Sequence, residues 1–153
     1  MKFSSLLTRI LRKIFIKYQE SKLHYNNDCK VAIYGAFDIV NPEGFRFGSG
    51  LSINPYVYIN ATSNITLGEN VSLSAHSALI STGLIYENGQ LLTAHYSKDI
   101  AIGSNVHIGA GAIVLPGVTI CDNVIVGAGA IVTKSIHDSG VYAGMPCKKL
   151  KKL

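Results

Sequence analysis

The sequence predicts a parallel β-helix made of six-residue units, and three regularities carry that reading. Aliphatic or aromatic residues recur every sixth position at Phe47, Ile53, Ile59 and Ile65, then at Leu67, Leu73 and Leu79, and again at Ile102, Ile108, Val114, Ile120, Val126 and Val132. Glycine often follows them, as at Gly48, Gly68, Gly103, Gly109 and Gly127. The fifth position of the unit is small or β-branched and apolar: Leu51, Val57, Val71, Val106, Ala112, Val118, Val124 and Ala130. A helix would drift against a strict period of six, because its apolar face returns every 3.6 residues. A short strand followed by a corner, repeated, does not drift. Three such units close a triangular coil of about 18 residues, and coils stack at strand spacing, roughly 4.8 Å. Asn70, Asn105 and Asn123 fall where corners require a positive φ that β-branched residues resist.

Three segments lie outside this period. Residues 1–25 read as an amphipathic helix with Leu7, Ile10, Leu11, Ile14 and Tyr18 on one face. That face is expected to pack on the β-helix or on another subunit, and its basic character leaves peripheral membrane contact open. Residues 26–46 read as an irregular or short-strand lead-in, with Val31 and Ile33 on one side of a strand. Residues 81–100 break the period as an extruded loop, and a long excursion in an economical fold tends to carry function. The β-helix is therefore placed at 47–139 and a C-terminal tail at 140–153.

Composition bounds the rest. The chain has 153 residues, enough for one domain, and 48% of them are apolar against 15% charged, which excludes a disordered chain. The net charge of +5 gathers at two ends, around Arg9, Arg12, Lys13 and Lys17 and around Lys148, Lys149, Lys151 and Lys152. Neither cluster carries a nucleic-acid motif, so no nucleic-acid partner is expected. Cys29, Cys121 and Cys147 are odd in number and unpaired in spacing, which argues against a disulfide framework and for a reducing cytoplasmic setting. Basic residues interrupt every early apolar run before it reaches signal-peptide or membrane-spanning length.

The period fixes parallel coiling but not its hand. The stretches "IGSNVHIGAGAIVLPGVTI" and "VIVGAGAIVTKSI", with the tail "YAGMPCKKLKK", resemble the hexapeptide-repeat acyltransferases, and are most similar to the maltose, galactoside and capsule or O-antigen acetyltransferases. The resemblance implies a left-handed parallel β-helix, a homotrimer with active sites between subunits, and acetyl-CoA as donor with no metal required. It further implies an acetyltransferase acting on a sugar hydroxyl, plausibly of a surface polysaccharide or its precursor, in the cytoplasm or at the inner face of the membrane.

Acetyl transfer to a hydroxyl needs a general base, and a mostly neutral histidine suits the task. His95, in the excursion, is the first choice and His76 the runner-up. In the maltose and galactoside enzymes the base directly follows a Thr–Gly pair, and the matching position here, after Thr82 and Gly83, is Leu84. Either the base has moved along the loop to His95 or catalysis is impaired. Asp99 or Glu87 could orient the imidazole, or be solvated loop charges. His107 reads as a surface or interface residue, and His24 and His137 receive no role.

For the donor, the resemblance points to Gly109, Ala110, Gly111, Ala128 and Gly129 beside pantetheine, Thr133 and Lys134 near the cofactor, and Pro146 and Lys149 toward its nucleotide end. Asn60, in "YVYINAT", loosely matches an acceptor-binding asparagine and also suits a corner. Cys147 stands where relatives carry alanine. Two other readings compete: a non-catalytic trimeric scaffold, and N-acetyltransfer to an amino sugar. A metal-dependent hydratase would need three converging histidines, and His76, His95 and His107 lack the close spacing of such a set.

Overall fold

A computed structural model of the chain describes residues 2–24 and 29–153, with side chains from residue 7 onward. The expected junction at 25–26 lies outside the described residues. Helix Lys2–Glu20 precedes a three-faced prism. The first face stacks Val31–Ile33, Leu51–Ile53, Ser72–Leu73, Val106–Ile108, Val124–Val126 and Gly140–Ala143 in parallel. The second stacks Asp38–Val40, Tyr58–Asn60, Ala78–Ile80, Ile113–Val114 and Ile131–Val132. The third stacks Phe45–Phe47, Ile65–Leu67, Ile100–Ile102 and Thr119–Ile120, and is extended by the bridge from Ile120 to Ile136.

The six-residue period is the fold's own period. Alternate residues of a strand point to opposite faces. On the second face Tyr58–Asn60 and Ala78–Ile80 turn in their middle residues, Ile59 and Leu79. A three-residue strand of the first or third face turns its first and third residues inward. Leu51 with Ile53, Val106 with Ile108 and Val124 with Val126 are such pairs, all buried. On the first and third faces the fifth and first positions of the sequence unit are thus two ends of one strand. The step from Ile65 to Leu67 is such a pair as well. Burying one of these side chains stabilises by about 1.5–3 kcal/mol, and the interior is a continuous column of them. Phe47 departs from expectation: Phe45 is buried, while Phe47 is only partly so and packs its ring 5.3 Å from that of Phe45.

The solenoid extends further at both ends than the period shows. From Val31, the segment read as a lead-in supplies a complete first coil. In the tail, Gly140–Ala143 continues the first face, and Lys148–Lys151 folds back antiparallel on it. Asn70, Asn105 and Asn123 turn their corners at φ 55°, 56° and 58°. The excursion is not an irregular loop. It is an antiparallel hairpin, Thr82–Glu87 with Gln90–Ser97, whose turn residues Asn88 and Gly89 both have positive φ. An Asn–Gly pair with that geometry matches the right-handed twist of the two strands.

Candidate functional site

Most of the expected site residues lie around the second face and its two corners. At the corner between the first and second faces, successive coils place Tyr56, His76, Gly111 and Gly129 in a column, with φ of 63°, 60°, 66° and 67°. Backbone bonds tie it together: His76 N–H to Pro55 O at 3.2 Å, Gly111 N–H to Ala75 O at 2.9 Å, and Gly129 N–H to Ala110 O at 2.8 Å. A Cβ added to Gly111 or Gly129 would meet nothing within 4 Å, and Ala110 and Ala128 beside them are exposed. Tyr56 and His76 hold the same φ with full side chains, so the corner itself does not demand glycine. The bare upper part of the column leaves an open shelf. Gly109 serves differently: it is buried, and a Cβ there would lie 2.6 Å from the Ala128 backbone N, so it permits close stacking of coils.

Thr133 and Lys134 stand exposed at the opposite corner of the second face. Thr133 lies four extended residue steps beyond Gly129, about 13 Å. The tail closes the end of this face, where Ile131 N–H donates to Gly144 O at 3.1 Å and Cys147 N–H to Ile131 O at 2.9 Å. Pro146 is thereby presented, exposed, beside the last strand of the face. Cys147 is partly buried, and burial pushes its thiol pKa up; a protonated, packed thiol is a poor nucleophile. Lys149 lies over the Tyr142 ring at 5.7 Å and 3.7 Å from the Asp138 carboxylate, on the strand added to the first face.

The hairpin leaves the prism one coil below Gly117, at the same corner as Thr133. Its foot is held firmly. Ser81 Oγ donates to Asn60 O at 2.7 Å and accepts from Ser63 N–H at 2.9 Å, while Lys98 N–H donates to Ser81 O at 2.9 Å. The Asp99 carboxylate accepts from the Ser63 hydroxyl and from Asn64 N–H at 3.0 Å. The Ser63 hydroxyl, then the Asn64 backbone, hold its pKa below the ordinary carboxylate value. Asp99 thus anchors the hairpin, and its carboxylate is directed at the coil below. Glu87 pairs with Gln90 beside the turn, three residues or about 10 Å along the strand from Leu84. Neither acid is positioned as the partner of His95.

His95 sits directly opposite Leu84 in the hairpin register, followed by Tyr96 opposite Gly83 and Ser97 opposite Thr82. Directly opposed residues project from the same side of an antiparallel pair, with Cβ atoms about 4.5–5.5 Å apart. His95 is exposed on that side. On the other side the Tyr96 ring covers Gly83, where a Cβ would come within 2.5 Å of it. Thr82 shares the side of His95, and its Oγ1 lies 3.5 Å from Asn60 Nδ2. Asn60 Oδ1 accepts from Thr62 N–H at 3.2 Å and from Thr62 Oγ1 at 2.7 Å, so this residue shapes its corner as well as touching the hairpin foot.

The other histidines are dispersed. His76 stacks its ring on Tyr56 with centroids 4.8 Å apart and planes 19° from parallel. His107 Nε2 lies 3.4 Å from Ser74 Oγ on the first face. Among the described residues of one chain, no three His, Cys, Asp or Glu side chains gather to hold a metal ion. Tyr56 carried no signal in the sequence; only its φ and its stacking partner single it out.

One chain alone does not enclose these residues. A recess of about 450 Å³ on the hairpin is lined by Leu84, Ile85, Tyr86, Glu87, Tyr96 and Lys98, and a larger one of about 690 Å³ runs along the N-terminal helix. Neither includes His95, His76 or the corner glycines.

Comparison with known proteins agrees with the repeat. Residues 99–134 match the family model described as bacterial transferase hexapeptide (six repeats), whose coiling is left-handed, as the resemblance implied. Galactoside O-acetyltransferase of Escherichia coli (strain K12) is 37% identical over 123 residues, covering 73% of this chain and 59% of the relative. The chain thus spans about three-fifths of that relative's length. Protein CapG of Staphylococcus aureus is 32% identical over 145 residues, covering 94% of this chain and 79% of CapG. Among solved structures, a galactoside acetyltransferase in complex with coenzyme A superposes with a TM-score of 0.59 at 27% identity, over 92% of this chain and 80% of that one.

Proposed function

This chain belongs to the hexapeptide-repeat acetyltransferases, and from that premise we propose that it moves acetyl groups from acetyl-CoA to a sugar hydroxyl of a surface polysaccharide or its precursor, with His95 as general base. One observation carries the assignment of the base. The position that follows Thr82 and Gly83 is leucine, and His95 is its cross-strand neighbour on the same side of the hairpin. The imidazole is delivered from the returning strand to the place where the outgoing strand lacks it. The relatives' names supply the reaction class: a galactoside acetyltransferase by sequence, and one holding coenzyme A by structure.

The neutral His95 imidazole takes the proton of the acceptor hydroxyl. The resulting alkoxide forms the new C–O bond at the thioester carbonyl, the C–S bond breaks, and the imidazolium returns its proton to the departing thiolate. Charge on the tetrahedral oxygen requires a nearby N–H donor. The shelf of Ala110, Gly111, Ala128 and Gly129 leaves backbone open to the pantetheine amides. Thr133 and Pro146 border the path toward the tail, and Lys134 and Lys149 supply charge for the nucleotide phosphates. Asn60, at the foot of the His95 side of the hairpin, is suited to the acceptor. The exposed hairpin and open shelf fit a cleft completed by a neighbouring subunit of a homotrimer.

The test is release of coenzyme A thiol from acetyl-CoA with maltose and methyl β-galactoside as acceptors. Acceptor-dependent turnover is expected, with kcat reduced about 10²–10⁴-fold in His95→Ala. Full activity in His95→Ala, with collapse only in His76→Ala, would move the base to the corner and defeat the assignment.

A further inference from the structure

Tyr56 and His76 are conspicuous for where they stand. Among the described residues, the other non-glycine positions with positive φ are Asn41, Asn70, Asn88, Asn105 and Asn123, all asparagine. The backbone of this chain thus selects asparagine or glycine at such places, and a tyrosine there is an outlier. Strained positions persist where surrounding structure or function requires them. Core packing does not require these two, for Tyr56 is 65% exposed and His76 is exposed too. The rings stack on one another and continue the Gly111–Gly129 column downward. If the tail and Lys134 mark the nucleotide end of the donor, its thioester end points toward the coil of His76.

We propose that the Tyr56–His76 stack is an acceptor platform that takes the C–H-rich face of a pyranose ring, a contact of dispersion and apolar burial. This rests on the acetyl-transfer reading above. Replacing both with asparagine, the residue the chain uses at its other corners, keeps the backbone permissible. In Tyr56→Asn/His76→Asn, the KM for maltose or methyl β-galactoside should rise at least tenfold while coenzyme A affinity by calorimetry stays within twofold. His76→Phe, which keeps a ring without a titratable nitrogen, should retain most of the wild-type KM. Saturation-transfer NMR with the same two sugars separates the readings. Sugar binding that is lost in the double variant supports the platform even if no turnover occurs. An unchanged acceptor KM, a fall in coenzyme A affinity instead, or a wild type that binds neither sugar would overturn it.

An independent observation concerns the N-terminal helix. It docks through its C-terminal end: Gln19 is buried with Oε1 3.4 Å from Phe37 N, Ile16 packs on the core, and Lys22 Nζ donates to Phe37 O at 2.8 Å. At about 100° per residue, Leu7, Ile10, Leu11, Ile14, Phe15 and Tyr18 cover an arc of roughly 140° on the side away from Ile16. They are 40–61% exposed. The apolar face therefore does not pack on its own β-helix, contrary to one of the two placements expected for it. Arg9, Arg12, Lys13 and Lys17 occupy the remaining surface, and Glu20 is the helix's one acid. A coiled coil of copies favours a narrow seam flanked by opposite charges. This arc is wide, and Thr8, Ile10, Phe15 and Lys17 at its flanks include no acid. No helix among the described residues is long and apolar enough to cross a membrane.

We infer that this helix lies in the surface of an anionic membrane, apolar arc toward the acyl chains and basic residues at the headgroups. The full chain should co-sediment with phosphatidylglycerol-containing vesicles and not with phosphatidylcholine alone. Leu11→Asp/Ile14→Asp should abolish binding, and removing Arg12, Lys13 and Lys17 should weaken it about fivefold per charge. The oligomer mass by light scattering should stay unchanged in both. Equal binding to neutral vesicles, no binding to either, or dissociation of the oligomer in the Asp variant would overturn the inference, the last by showing that another copy covers the arc.

Discussion

Asn70, Asn105 and Asn123 turn the corner between the third and first faces at φ 55–58°, while Tyr56, His76, Gly111 and Gly129 turn the corner between the first and second at 60–67°. The backbone task is nearly the same. The side chains differ in where their bonding goes. In the asparagine column, Asn70 Nδ2 donates to Asn105 Oδ1 and Asn105 Nδ2 to Asn123 Oδ1, each at 3.3 Å, so the side chains are engaged with one another. In the other column they are either exposed rings or absent. The contrast separates residues that serve the solenoid from residues whose identity the solenoid leaves free. The freed corner borders the face where the donor candidates gather.

That contrast is open to attack by substitution. Gly111→Asn/Gly129→Asn should fold normally, since asparagine holds this φ elsewhere in the chain. The added side chains would cover the shelf, and coenzyme A affinity by calorimetry should fall roughly ten- to a hundredfold, about one hydrogen bond per site. Unchanged affinity would make both glycines mere corners. Asn105→Ala should do the reverse. It loses both ladder bonds and strains the corner, costing about 1–2 kcal/mol in urea unfolding, with coenzyme A affinity intact. Asn105→Gly keeps the loss and relieves the strain, so its cost should be smaller, under about 1 kcal/mol.

The smallest effect concerns the hairpin foot, and it is one of pH. Asp99 has its pKa lowered from 3.8 in the folded chain by the Ser63 and Asn64 hydrogen bonds. A carboxylate depressed on folding stabilises fully above its unfolded pKa and loses that contribution as pH falls through the folded value. The foot should therefore hold unchanged across neutral pH and loosen only in acid below 3.8. Pepsin cleavage within 82–97 should quicken between pH 4 and pH 2 in the wild type and depend less on pH in Asp99→Asn.

Much of the solenoid was legible because each inward residue sits at a fixed offset: Ile53, Ile59, Ile108 and Val126 needed only counting. The first coil keeps the six-residue spacing at Ile33, Ile39 and Phe45, but a two-residue slip to Phe47 separates it from the series that follows. The hairpin had a signal that went unread, the Asn88–Gly89 pair between apolar runs. Candidate donor residues could be named by resemblance, yet their division between two corners and the buried, spacing role of Gly109 required the stacking of coils. The neighbourhood of Leu84 and His95 depended on strand register, which ten intervening positions and a bulge between Leu91 and His95 conceal.

That register supplies the most direct measurement. His95→Leu removes the imidazole; His95→Leu with Leu84→His returns it to the same side of the hairpin from the opposite strand. Acetyl transfer from acetyl-CoA to the same acceptors should collapse in the single variant and recover at least tenfold in the exchanged one. An exchanged variant no better than the single, though equally folded and equally able to bind coenzyme A, would contradict the claim that His95 serves the place its cross-strand neighbour leaves empty.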